Sequence, residues 1–133
     1  MNNGTLVWGP GTGNLYTLTP TGANLTLVAS GANGINLRSS FNDGNRLFLG
    51  SSSNNAIKYV DNGNFGAIQT ANIPSQGVTA VVTRFFKAAN VLYAVVNAGQ
   101  EKLFKSTDNG ANWTEQNTTW DNDGNTDDLG AAF

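Results

Sequence analysis

Short apolar runs, such as Leu47-Phe48-Leu49, Leu92-Tyr93-Ala94-Val95-Val96 and Leu103-Phe104-Lys105, recur along this chain between polar stretches rich in Gly and Asn. Apolar runs of this length bounded by turn residues read as β-strands. Gly, Asn and Pro interrupt them too often for a helix of ordinary length. The runs also recur. Residues 15–26 lie over residues 103–114 without a gap, and Leu15, Thr19, Gly22, Ala23, Asn24 and Thr26 match identically. Asn45-Arg46-Leu47-Phe48-Leu49-Gly50 corresponds to Asn90-Val91-Leu92-Tyr93-Ala94-Val95, and Thr5-Leu6-Val7-Trp8-Gly9 fills the same place in the first copy. Upstream, residues 35–41 correspond to 79–86, with turns at Gly44-Asn45 and Ala89-Asn90.

Each repeat therefore reads as four strands. The second repeat (35–77) places them at 35–41, 46–50, 56–60 and 65–70; the third (78–128) places them at 78–86, 91–96, 102–106 and 112–115. The first (1–34) has strands at 5–8, 14–19 and 25–29, and no strand ahead of them. The missing strand is at the other end of the chain, where Leu129-Gly130-Ala131-Ala132-Phe133 resembles Leu37-Arg38-Ser39-Ser40-Phe41. Trp8 aligns with Leu49 and is expected in the core. The repeat length, roughly 45 residues, is that of a four-stranded propeller blade.

The turn of the third repeat is spelled Ser106-Thr107-Asp108-Asn109-Gly110-Ala111-Asn112-Trp113. Asn-Gly between two strands is a strong hairpin signal, because both residues tolerate positive φ. The Asp108 carboxylate is placed to accept turn N–H groups, the Ser106 hydroxyl to close the other side, and Trp113 to bury its ring beneath the hairpin. The pattern S-x-D-x-G-x-x-W, with Ser106, Asp108, Gly110 and Trp113 at its marked positions, resembles the Asp-box (BNR) repeat of sialidase- and sortilin-type propellers. In those families the box is a fold element away from the ligand site, so the resemblance implies architecture first. Residues 58–65 read as a third, shortened copy, with Tyr59 for Ser106 and Phe65 for Trp113. The expected fold is all-β: three four-stranded antiparallel blades per chain, in a β-propeller ring completed by oligomerisation. A head-to-tail homodimer sharing a blade through the 129–133 strand would be six-bladed.

Composition narrows the chemistry. The chain has no Cys and no His, which removes disulfides, thiolate and His-based catalysis and most zinc sites. Lys plus Arg total 7 against 9 Asp plus Glu, with no basic patch to suggest nucleic acid. Charged residues are only 12%, fitting a turn-rich β protein. No apolar segment is long enough to span a bilayer, so membrane insertion is not expected.

Asp121, Asp123 and Asp127 fall in the one acidic cluster, 121–128, which also contains Gly124. Alternate oxygen ligands around a Gly resemble a calcium loop, although Thr119 stands at the first ligand position of an EF-hand; the other reading is a solvated loop between blades. Trp120 beside it is placed either to stack on a sugar face or to cover a blade edge. Arg38 and Arg84 lie on first strands, nearest a propeller's channel, where they read as ligand-binding groups or as surface residues. Sialidases use three arginines, but their catalysis also needs a Tyr/Glu pair and an acid Asp. The glutamates here, Glu101 and Glu115, both lie beside outer strands. The expectation is a non-catalytic, lectin-like module binding glycans, with no required cofactor. The alternatives are a structural component of a virion or surface layer, or a piece of a longer propeller.

Overall fold

The computed structural model describes residues 6–9, 13–18, 24–29, 35–52, 56–77 and 79–116. Its strands form three antiparallel sheets. The first contains Leu6–Trp8 (β1), Leu15–Leu18 (β2) and Thr26–Ala29 (β3), in that order. The second contains Leu37–Asp43 (β4), Arg46–Ser51 (β5), Ile57–Asp61 (β6) and Gln69–Thr70 (β7). The third contains Val81–Ala88 (β8), Val91–Asn97 (β9), Glu101–Ser106 (β10) and Thr114–Gln116 (β11). In every sheet consecutive strands are neighbours, as short turns between alternating runs require. The expected strand at 129–133 lies outside the described residues, as does the side chain of Trp8.

The expected bounds of four strands are corrected. Residues 35–36 and 79–80 are not strand; β4 and β8 start later and run two residues further, to Asp43 and Ala88. The fourth strand of sheet two is only Gln69–Thr70, because Phe65–Ala67 forms a 3-10 turn closed by Ala67 N–H on Asn64 O at 3.1 Å. Gly66 gives that stretch little reason to extend. The last strand begins at Thr114 rather than 112, because Asn112 instead makes an isolated parallel bridge to Asn72, just past β7.

Sheet two is covered on both faces, which is why Leu47, Phe48, Leu49 and Gly50 are all buried in one strand. Leu47, Leu49 and Val60 cluster with Leu15 and Ile35, against Val7 and Val28 of sheet one. Phe48, Ile57 and Tyr59, on the opposite face, cluster with Val82, Leu92, Ala94, Phe104 and Trp113 of sheet three. Phe48 contacts the rings of Phe85 and Trp113 at centroid distances of 6.0 and 6.2 Å.

The same sheet-to-sheet contact is made twice. A Cβ on Gly9 would lie 2.6 Å from the Leu37 Cβ, and one on Gly50 would lie 2.8 Å from the Val82 Cβ. Counted from the hairpin pairs Asp43↔Arg46 and Ala88↔Val91, Leu37 and Val82 hold the same place on their strands. Both strands shift register there, β4 between Leu37 and Ser39 and β8 between Val82 and Arg84. The bulges bring each first strand onto the glycine of the sheet before it. Ser39 Oγ adds a hydrogen bond to Val82 O at 2.8 Å across the second contact.

Substituting Gly50→Ala should therefore push β8 off β5 and cost about 1–3 kcal/mol, as overpacking does. Urea denaturation should show this as a lower midpoint; an unchanged midpoint would mean the sheets separate freely at that point.

Candidate functional site

The most elaborated side-chain constellation among the described residues surrounds the turn between β10 and β11. Asn109 and Gly110 have φ of 59° and 80°, as the Asn-Gly pair requires. Ser106 is buried; its hydroxyl accepts the Gly110 N–H at 2.9 Å and donates to Asp108 Oδ1 at 2.8 Å. The Asp108 carboxylate accepts the Asn112 N–H at 2.9 Å and the Asn112 side-chain amide at 2.6 Å. Trp113 is buried and its indole N–H donates to Gly110 O at 2.9 Å. The hydrogen bonds from the Asn112 side chain, the Asn112 backbone and Ser106 pull the Asp108 pKa down from 3.8 to about 2, since they favour the ionised form. The expected tasks of Ser106, Asp108, Gly110 and Trp113 are visible in these contacts.

The turn also docks on sheet two. Trp113 N–H donates to Asn72 O at 2.8 Å, Asn72 N–H to Ala111 O at 2.9 Å, and the Asn72 side-chain amide to Asn112 Oδ1 at 2.9 Å. A Cβ on Gly110 would overlap the Phe48 ring, so the residue is glycine for space as well as for its φ. Arg46 reaches across from β5. Its Nε and Nη2 fork onto Asp61 at 2.6 and 2.8 Å, its Nη1 donates to Asn109 O at 2.7 Å, and its guanidinium lies 4.0 Å over the Tyr59 ring. Tyr59 in turn donates to Gln69 Oε1 at 2.9 Å. The bidentate pair raises the Arg46 pKa and lowers that of Asp61.

In residues 58–65, read as a third and shortened copy of the box, the Asp takes a different role. Asp61 stays on β6, opposite Arg46, and its carboxylate serves the arginine. Asn62 and Gly63 do take positive φ, and Phe65 packs against sheet one as Trp113 packs against sheet two. The turn is one residue too short to bring the Asp inside it.

Arg38 and Arg84 are both exposed, on first strands that pack against each other. The paired registers make Arg38 equivalent to Thr83 and Arg84 to Ser39, so the two arginines are one step apart rather than at matching positions. Arg46, the other arginine, is committed to Asp61 and the turn. Its role was missed in the sequence; the signal was available only as the Arg46↔Asp61 pairing. Glu115 pairs with Lys102 at 3.1 Å and Asp43 with Lys87 at 2.8 Å. Trp120, Asp121, Asp123 and Asp127 lie outside the described residues. Among the described residues no three His, Cys, Asp or Glu side chains gather as metal ligands.

In comparisons with known proteins, no family model matches the chain and no curated protein matches it.

Trp113→Ala should cost about 3–5 kcal/mol, because the ring fills the space between two sheets. A thermal melt within a degree of the parent would contradict that placement. The Asp108 pKa is lower folded than unfolded, so its contribution is present above 3.8 and is lost as pH falls through about 2. Denaturation midpoints measured between pH 5 and pH 2 should fall less steeply for Asp108→Asn than for the parent.

Proposed function

We propose that this protein is a non-catalytic binding module built as an Asp-box β-propeller, with the three sheets as three blades and a second copy completing a six-bladed ring. The reading rests on the repeated sheet contact, Gly9 on Leu37 and Gly50 on Val82, which stacks three sheets by one geometry and sets the first strands of sheets two and three side by side. Propellers typically use ~4–8 blades, so three need company, and two chains supply six where three would supply nine. In this arrangement the 129–133 segment adds the fourth strand to sheet one of the other copy. The hydrogen bonds at the Ser106 to Trp113 turn support the Asp-box assignment by their function: they close a hairpin and dock it on the preceding sheet.

Arg38 and Arg84 are the proposed contacts for a glycan. They are exposed on adjacent first strands, which face a propeller's channel, and a guanidinium forks onto hydroxyls or a carboxylate. Trp120 is proposed as the stacking partner. A second reading, a ring used as an assembly component, is favoured by the exposure of Leu25 and Leu27 on sheet one, at 44% and 51%.

Glycan-array binding by the parent should be lost in the triple variant Arg38→Ala, Arg84→Ala, Trp120→Ala. Equal binding by both proteins would overturn this choice of residues. No binding by a parent that light scattering shows to be dimeric would replace the lectin-like reading with the assembly one.

A further inference from the structure

Among the described residues, the sheet contact made twice inside the chain is not repeated at two further sheet faces. Each sheet has a forward face, toward the next sheet, and a backward face, toward the one before. Sheet two meets sheet three with Phe41 and Phe48, a cross-strand pair on β4 and β5. In sheet three the same places on β8 and β9 hold Phe86 and Tyr93, paired cross-strand and stacked at 4.9 Å with 8° between the rings. Leu103 lies on that forward face with them, through the pairs Leu103↔Val95 and Lys105↔Tyr93. Phe86, Tyr93, Val91 and Leu103 are all only half-buried there, whereas Phe48 is fully buried.

Sheet one uses its forward face, Val7, Leu15 and Val28, against sheet two. Alternation places Tyr16 and Leu27, which pair across β2 and β3, on its backward face. Leu25 immediately precedes β3 and is exposed beside it. Leu25 and Leu27 are the exposed large hydrophobics among the described residues.

We infer that the forward face of sheet three seats on the backward face of sheet one of a second copy, Tyr93 and Leu103 against Leu25 and Leu27. This rests on the proposal that a second copy completes the stack; what it adds is which surfaces meet, and that they are two different surfaces. The occupant is another copy because these are the two complementary halves of a contact the chain already makes with itself at sheets one–two and two–three. Such a contact is heterologous, and closes only if each copy offers both faces. One position departs from the internal pattern: Val95 stands where Gly9 and Gly50 admit the next first strand, so this third contact is wider at that point.

A charge exchange tests the assignment. Leu27→Arg damages one face and Tyr93→Glu the other, both at residues that are not fully buried, and circular dichroism checks that each variant keeps its strands. Each variant alone should run at half the parent's mass in light scattering at micromolar concentration. Mixed in equal amounts, they should recover the parent's mass, since one contact is then native and the other joins opposite charges. The absence of cysteine allows a second measurement. The double variant Leu27→Cys, Tyr93→Cys should oxidise to chains linked in pairs, because the two sites lie on opposite end faces of one chain. A dimeric parent whose variants stay dimeric, with no cross-link, would overturn the face assignment and leave the six-bladed reading standing. A trimeric or polymeric parent whose double-cysteine variant cross-links would overturn the six-bladed ring and leave the faces standing. A monomeric parent whose double-cysteine variant does not cross-link would overturn both.

Discussion

Phe48 is the residue on which two sheets depend at once. It starts on a central strand of sheet two and ends among rings of both sheets: Tyr59 on its own, Phe85 and Trp113 on the next. Its fit requires a turn without a side chain above it, and Gly110 supplies that. Because interiors are packed to near-crystalline density, a ring in this position fixes the spacing between sheets. The remaining features of the junction follow. Trp113 must be buried to meet Phe48, so its N–H needs a partner, and Gly110 O is that partner. The turn must be rigid to keep Gly110 in place, and Ser106 and Asp108 satisfy the N–H groups that would otherwise be unpaired.

Charge is used sparingly, and mostly at sheet junctions. Arg46 forks onto Asp61 in its own sheet while donating to Asn109 O in the next, and Lys87 of β8 meets Asp43 of β4. Exposed ion pairs contribute little each, typically up to ~1 kcal/mol. Apolar contact between sheets carries the stability; these pairs favour one relative position of the sheets over others. Arg46 is held over Tyr59 and forked onto Asp61, so it serves the fold, whereas Arg38 and Arg84 are exposed residues of the first strands.

The proposed ring links this architecture to function. A stack in which each sheet buries both faces has no natural end, and the chain's two end faces retain Leu25, Leu27, Tyr93 and Leu103 in the positions where interior sheets meet. Association through these faces would complete the stack and bring first strands with their arginines around a common channel. Binding and assembly are then two consequences of the same repeated contact, and they separate experimentally because they use different residues.

Strand identity and order were legible in the sequence. Short apolar runs broken by Gly and Asn admit little else, and the repeat aligned β5 with β9 correctly because both must bury alternate residues against the sheet before them. The box turn was legible for a local reason: its hydrogen bonds join residues within eight positions of one another. What the sequence could not settle depended on partners far along the chain. The role of Arg46 needed the turn of another sheet, at Asn109. The equivalence of Arg38 with Thr83 needed the bulges, which appear only when both partner strands are in place. Asp61 looked like a turn residue by spelling and became an ion-pair partner because pairing put Arg46 directly opposite. Local turn chemistry is written in neighbouring residues; strand register and the contacts between sheets are decided only by packing.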